Sequence, residues 1–188
     1  MVKYLTGEEE KKLLENVEGE YKERDQAILT FLLNTGLRVG EATKLINLDV
    51  HNEKVKKELQ IRKEIAKRKI ARRIPLNQKA RKSIRFLLKW KRDHNYSMSS
   101  ESFFLVSKKR NKFTPMQIDR IMIKARKKAK LDFEATPHTL RHTFAMKILG
   151  ATGNIILVKE LLGHKSIATT QVYLSASRQA LRDAVEKI

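Results

Sequence analysis

The 188-residue chain has no cysteine, only three prolines and one tryptophan, and half as many acids as bases. Without cysteine there is no disulfide and no thiolate chemistry, a pattern that fits the cytoplasm. No apolar run approaches the ~20 residues that a membrane span requires, so no membrane partner is expected. The start, Met1-Val-Lys-Tyr-Leu-Thr-Gly-Glu-Glu-Glu, lacks the apolar core of a signal peptide. No Gly/Ser/Pro linker or internal repeat divides the chain, so residues 1–188 read as one domain. Negative charge is the scarcest commodity: 41 Lys+Arg face 21 Asp+Glu, for a formal net charge of +20. A compact fold with that surplus repels itself unless a polyanion neutralises it, which makes nucleic acid the first partner to consider. The hydrophobic share of 41% is enough for an ordinary core.

The pattern of caps and apolar spacing predicts a mainly α fold with a small antiparallel β-sheet (α+β). Thr6 with Glu9 three residues on forms a capping box for a helix to about residue 16. A buried helix is expected over 25–34, stopped by Gly36, and a short one over 37–45. Between residues 48 and 76 scattered Val, Leu and Ile among many cations predict two or three antiparallel strands. Helix resumes over 78–94, with Ile84, Leu87, Leu88 and Lys91 at helical spacing. Residues 103–106 read as a strand or an extended run. Thr114-Pro115 and Thr136-Pro137 each open a helix, to about 130 and 149. Short helices follow over 155–162, 166–174 and 177–188.

The last third gathers His138-Thr-Leu-Arg141-His142, then Leu162-Gly-His164, then Tyr173. Imidazoles, a guanidinium and a phenol can grip a phosphodiester, stabilise added charge on it and attack it with an oxygen, without a metal. His138 and Arg141 share a face near a helix N-terminus, where anions are favoured; local capping and a Glu partner would serve equally well. His138 and His142 have metal-ligand spacing, but Thr139 stands where a zinc hydrolase needs glutamate. Tyr173 is either a packing residue or a nucleophile whose anion nearby cations stabilise. Arg38 and Glu41, at i and i+3, are either a surface ion pair or a guanidinium held in place by a carboxylate. Two basic runs remain: Lys63, Lys67, Arg68, Lys69, Arg72 and Arg73 in the strand region, and Lys108, Lys109 and Arg110 together with the helix from Arg120 to Lys130. They are solvated faces or the walls of a groove following DNA phosphates.

Three ordered blocks resemble the catalytic domain of the tyrosine recombinases, the phage integrase and Xer-type family. They are Thr35-Gly36-Leu37-Arg38-Val39-Gly40-Glu41, Pro137-His138-Thr139-Leu140-Arg141-His142-Thr143-Phe144-Ala145, and the segment from Leu161 to Tyr173. The resemblance implies a site-specific recombinase that cuts and rejoins DNA through a 3′-phosphotyrosyl link, with no metal or nucleotide cofactor. Tyr173 would be the nucleophile, Arg38 and Arg141 the phosphate clamp, His164 a further donor and His138 an aid to proton transfer. Counting back from Pro75 puts the leaving-group acid at Lys67; the glycines usual around it are missing, so Lys69 and Lys63 stay as alternatives. Lys63, Arg68, Lys69, Arg72, Arg73 and Lys108 to Arg110 are then expected on DNA. The implied partner is double-stranded DNA, with a monomer when free and a tetramer on DNA. The N-terminal core-binding domain of most members has no counterpart among these residues, so a single catalytic domain is expected. A type IB topoisomerase activity and a catalytically inactive DNA-binding regulator are the alternatives.

Overall fold

The computed structural model describes residues 3–66 and 70–164. Thr6 opens helix α1 (Gly7–Glu15): its Oγ1 accepts from Glu9 N at 3.2 Å, and Glu9 Oε2 accepts from Thr6 N at 2.7 Å. Helix α2 (Lys22–Thr35) is the central rod, and Gly36 closes it at φ 61°, a left-handed conformation that suits glycine. The backbone then turns extended at Arg38, so the helix expected over 37–45 shrinks to the single turn α3 (Val39–Ala42).

The region expected to form one sheet divides differently. A one-turn helix α4 (Asn47–Val50), unforeseen from sequence, is fixed by Asp49 accepting from Ile46 N at 3.0 Å. Strands β1 (His51–Asn52) and β2 (Lys54–Val55) form a minimal hairpin. Strands β3 (Glu58–Ile61) and β4 (Arg72–Pro75) form a second antiparallel pair, in register Leu59↔Ile74 and Ile61↔Arg72. Burial alternates along β3, with Leu59 and Ile61 inward, as a half-buried strand requires. Residues 103–106, expected as a strand or an extended run, form isolated antiparallel bridges, Phe103 with Ile46 and Val106 with Lys112, and no regular strand.

Helices α5 (Gln78–Asp93), α6 (Pro115–Lys128), α7 (Pro137–Thr152) and α8 (Ile155–Leu162) match the sequence reading within a turn. Asn77, the Thr114–Gln117 pair and Asn154 cap α5, α6 and α8 through side-chain oxygens. Helix α2 packs against both α5 and α7, burying Ile28, Leu29, Phe31 and Leu32. A separate apolar cluster of Phe144, Ala145, Leu149, Val158 and Leu162 seats α8 on α7. The helices expected over 166–174 and 177–188 lie outside the described residues.

Lys91 lies on the inner face of α5 and is 1% exposed. Its ammonium donates to Asn47 Oδ1 and Phe103 O, both at 2.7 Å, joining α5 to α4 and to the segment after the 95–102 loop. Burial pushes its pKa down from 10.5 to about 8. Below pH 8 both folded and unfolded chains carry this proton, so the cost of burying the charge is present in full. Between pH 8 and 10.5 the unfolded chain binds more protons, and stability from this group rises with pH. Urea unfolding of Lys91→Met beside the parent is expected to show the parent gaining on the variant from pH 8 to 10.5, by roughly 3 kcal/mol in total. A difference independent of pH would contradict the assignment of a burial-strained ammonium.

Candidate active site

The residues of the first two sequence motifs meet at the C-terminal end of α8. A helix ends with carbonyls that have no intrahelical partner. Here arginines supply the donors. Arg141 Nη2 donates to Leu162 O at 2.6 Å, and its Nη1 donates to Gly36 O, also at 2.6 Å. Arg38 Nη1 reaches the same Leu162 O at 3.5 Å. Arg72 Nε donates to Leu161 O at 3.0 Å. Cations at this end also complement the negative pole of the helix dipole.

Glu41 stands between two of these guanidiniums. Its carboxylate accepts from Arg72 Nη1 and Nη2 at 3.1 and 2.7 Å, a bidentate pair, and from Arg38 Nη1 at 3.2 Å. A further bond from Arg38 N at 3.2 Å fixes the carboxylate against its own helical turn. The Glu41 side chain is only 2% exposed. Burial alone would raise its pKa, but the Arg72 hydrogen bonds and charge, then those of Arg38, bring the net shift below the usual value.

Arg72 was expected on DNA. Its side chain is instead 8% exposed, with Nε, Nη1 and Nη2 all bonded within the protein. The inward phase of β4 at this position, opposite Ile61, is the reason. The phase of Ile74, two residues on, is the sequence signal that separates inward Arg72 from its neighbour Arg73, which is solvent-exposed beside Glu58.

His138 and Arg141 both come from the first turns of α7, whose start is set by Pro137 and by Thr139 Oγ1 accepting from Thr136 N at 3.0 Å. Arg141 is buried, whereas His138 is exposed and lines a cleft of about 460 Å³ together with Arg38. Lys44 and Lys112 line the same cleft. The sequence reading passed over both, although Lys112 lies two residues beyond the Lys108–Arg110 run. His164 Nε2 is 3.1 Å from Arg141 Nη2. An arginine can only donate, so a hydrogen bond here has the imidazole nitrogen as acceptor. His142 is half-buried, and burial, then the charges of His138 and Arg141, lower its pKa.

The other expected DNA contacts are dispersed. Lys63 is exposed just after β3. Lys108 pairs with Glu20 at 2.8 Å, Lys109 is exposed, and Arg110 donates to Asn95 O at 2.9 Å while lying over the Tyr96 ring. Lys67, Arg68, Lys69 and Tyr173 lie outside the described residues.

Replacing Glu41 with Gln keeps the shape and removes the charge between Arg38 and Arg72. The variant is expected to lose about 3 kcal/mol at neutral pH, the scale of breaking one partner of a buried pair. Because the folded pKa of Glu41 is depressed, its contribution is complete above pH 4.5 and falls away at lower pH. Chemical unfolding from pH 7 to pH 3 should therefore show the two proteins converging in acid. A gap that persists unchanged at pH 3 would contradict a charge-based role.

The phage integrase family profile matches residues 3–180. Tyrosine recombinase XerC of Caldanaerobacter subterraneus subsp. tengcongensis is 35% identical over 187 residues, covering 98% of this chain and 50% of the relative. The chain thus spans about half the length of that relative. The crystal structure of XerA recombinase superposes with a TM-score of 0.82 at 31% identity, covering 100% of this chain and 65% of that one. The XerH site-specific recombinase bound to palindromic difH substrate, a post-cleavage complex, gives a TM-score of 0.78 at 26% identity, covering 98% and 52%. With the arginine motif, the His-x-x-Arg turn and the α8 terminus arranged as above, the chain belongs to the phage integrase family of tyrosine recombinases.

Proposed function

We propose that this chain is the catalytic part of a site-specific DNA recombinase that cuts and rejoins double-stranded DNA through a covalent 3′-phosphotyrosyl intermediate. The observation that carries the reading is the convergence of Arg38 and Arg141, from separate helical segments, on the single carbonyl of Leu162. Two guanidiniums so placed can each donate to one non-bridging oxygen of the same phosphate. His138 lines the Arg38 cleft, and His164 touches Arg141. All four groups lie within residues 3–180, which match the phage integrase family.

In the proposed reaction the Tyr173 oxygen forms a bond to the scissile phosphorus as the bond from phosphorus to the 5′-oxygen breaks. The phenol proton leaves with help from His138, and Lys67 delivers a proton to the departing 5′-oxygen. Arg38 and Arg141, with His164 once its Nε2 carries a proton, stabilise the charge that builds on the non-bridging oxygens. Attack by a 5′-hydroxyl from another strand reverses these steps and joins the new partner. One phosphoester replaces another at each stage, so no external energy source and no cofactor is called for. Exchange between two duplexes needs four strand cleavages, which fits four copies of the chain assembled on DNA and a monomer when free. The XerH difH complex supports DNA as the partner. Among the described residues no helix is long and apolar enough to cross a membrane.

A suicide duplex, nicked so that the cleaved end diffuses away, traps the adduct. The parent chain is expected to accumulate covalent DNA, and Tyr173→Phe to form none while binding DNA nearly as well. Arg38→Ala and Arg141→Ala should cleave ~10²–10³-fold more slowly, the usual cost of one preorganised donor. Lys67→Ala should be impaired on ordinary DNA and largely restored when sulfur replaces the 5′-bridging oxygen, since a thiolate leaves without a proton. Parallel Lys63→Ala and Lys69→Ala variants locate the acid within the hairpin. An adduct formed by Tyr173→Phe would contradict the nucleophile. An inactive parent chain that still binds the site would favour the DNA-binding regulator instead, and relaxation without exchange of paired sites the topoisomerase.

A further inference from the structure

A second cationic groove lies between the β1–β2 hairpin and α5, with a volume of about 380 Å³. Arg81, Arg85, Lys89 and Arg92 from α5 and Lys54 from β2 line it, with Glu53 as the acidic member. The four α5 residues follow one another at steps of four, four and three, which keeps them on one face of the helix. They occupy the flank beside the stripe of Ile84, Leu87 and Leu88 that enters the core. Lys89 is bonded to Asp93 at 2.6 Å, so five cations stand against two carboxylates. Arg85, Lys89 and Arg92 are exposed, and the buried Nε of Arg81 has no hydrogen-bond partner among the described residues.

This groove shares no lining residue with the cleft that holds Arg38 and His138. From Arg81 to Arg92 the helix rises about 16 Å at 1.5 Å per residue. Successive phosphates of one DNA strand lie farther apart than the axial rise of about 3.4 Å, because the strand winds around the axis, and a row of this length still reaches more than one of them. The length and linearity of the row match a continuous polyanion better than a single small anion, which one or two cations would hold.

We propose that the α5 groove binds the phosphodiester backbone of duplex DNA outside the segment engaged at the Arg38 cleft. The inference rests on DNA being the substrate and adds a second contact to it. Such a contact anchors flanking DNA and adds to affinity without reading sequence, because it touches only the backbone.

The test uses amine acetylation of the unmutated chain, read residue by residue, with two duplexes: a short one covering only the cleavage site and a longer one with flanks. Lys54 and Lys89 should be protected several-fold by the longer duplex and not by the short one. In parallel, the Lys54→Gln/Arg85→Gln/Arg92→Gln variant, which leaves the Lys89–Asp93 pair intact, should lower the log–log salt slope for the longer duplex by about 2.7, three phosphates at roughly 0.9 each. Its cleavage of the short suicide duplex should equal that of the parent. Equal exposure of Lys54 and Lys89 with and without the longer duplex overturns the proposal. So does equal protection by the short duplex, which would place these residues on the cleavage segment itself. An unchanged salt slope in the variant likewise overturns it. Absence of any covalent adduct from the parent chain would strike the recombinase reading, and the protection pattern would still decide the groove.

Discussion

Three guanidiniums must be held together at the end of α8 against their mutual repulsion, and the rest of the site follows from how that is done. Glu41 and the terminal carbonyls of α8 provide the counterweight. The arrangement is unequal in a useful way. Arg72 has Nε, Nη1 and Nη2 tied to Glu41 and Leu161, which makes it a fixed strut. The side-chain bonds described for Arg38 all run through Nη1, and its side chain is 16% exposed at the mouth of the cleft. The carboxylate that Arg72 holds in place also accepts from Arg38, which orients that guanidinium through Nη1 and leaves its Nε and Nη2 as donors for an incoming anion. Preorganised donors of this kind need no rearrangement when charge develops on a phosphate.

Backbone geometry makes the convergence possible at two glycines. Gly36 sits at φ 61° beneath Phe144, where an added Cβ would fall 2.3 Å from the ring, and its carbonyl receives Arg141. Gly163 closes α8 at φ 64°, and an added Cβ would meet Arg72 Cδ at 2.9 Å. Each glycine therefore allows a helix end and an arginine to approach closely. The apolar cluster of Phe144, Leu149, Val158 and Leu162 then carries the position of α8 to α7, so that packing, not the polar network alone, sets where the Leu162 carbonyl points.

The long helices were legible because their ends are written in side chains: Thr6 with Glu9, Thr114 with Gln117, Pro137, and Gly36 after the last turn of α2. The single turns α3 and α4 were not, since four residues carry no periodicity and α4 depends on an Asp49 bond that is local but not distinctive. One small sheet was expected where the described residues form two separate pairs, because the short hairpin at 51–55 buries too little to leave an alternation. At the site, motif order placed Arg38, Glu41, His138, Arg141 and His164 in the sequence. The part played by Arg72 depends on which face of β4 it occupies, and within the strand only the phase of Ile74 marks that face. Lys91 falls at helical spacing with Ile84, Leu87 and Leu88, yet its burial as an ammonium follows from Asn47 and Phe103, which only the fold brings near.

The central claim is that Arg38 and Arg141 act on charge at the non-bridging phosphate oxygens. The most direct measurement replaces one such oxygen at the scissile position by a methyl group, which removes the negative charge and keeps the leaving group. On this neutral methylphosphonate duplex, Arg141→Ala should cleave within about tenfold of the parent chain, against a deficit of ~10²–10³ on the ordinary phosphate. An equal deficit on both substrates would mean that the arginine does not serve to neutralise phosphate charge, and would contradict the account.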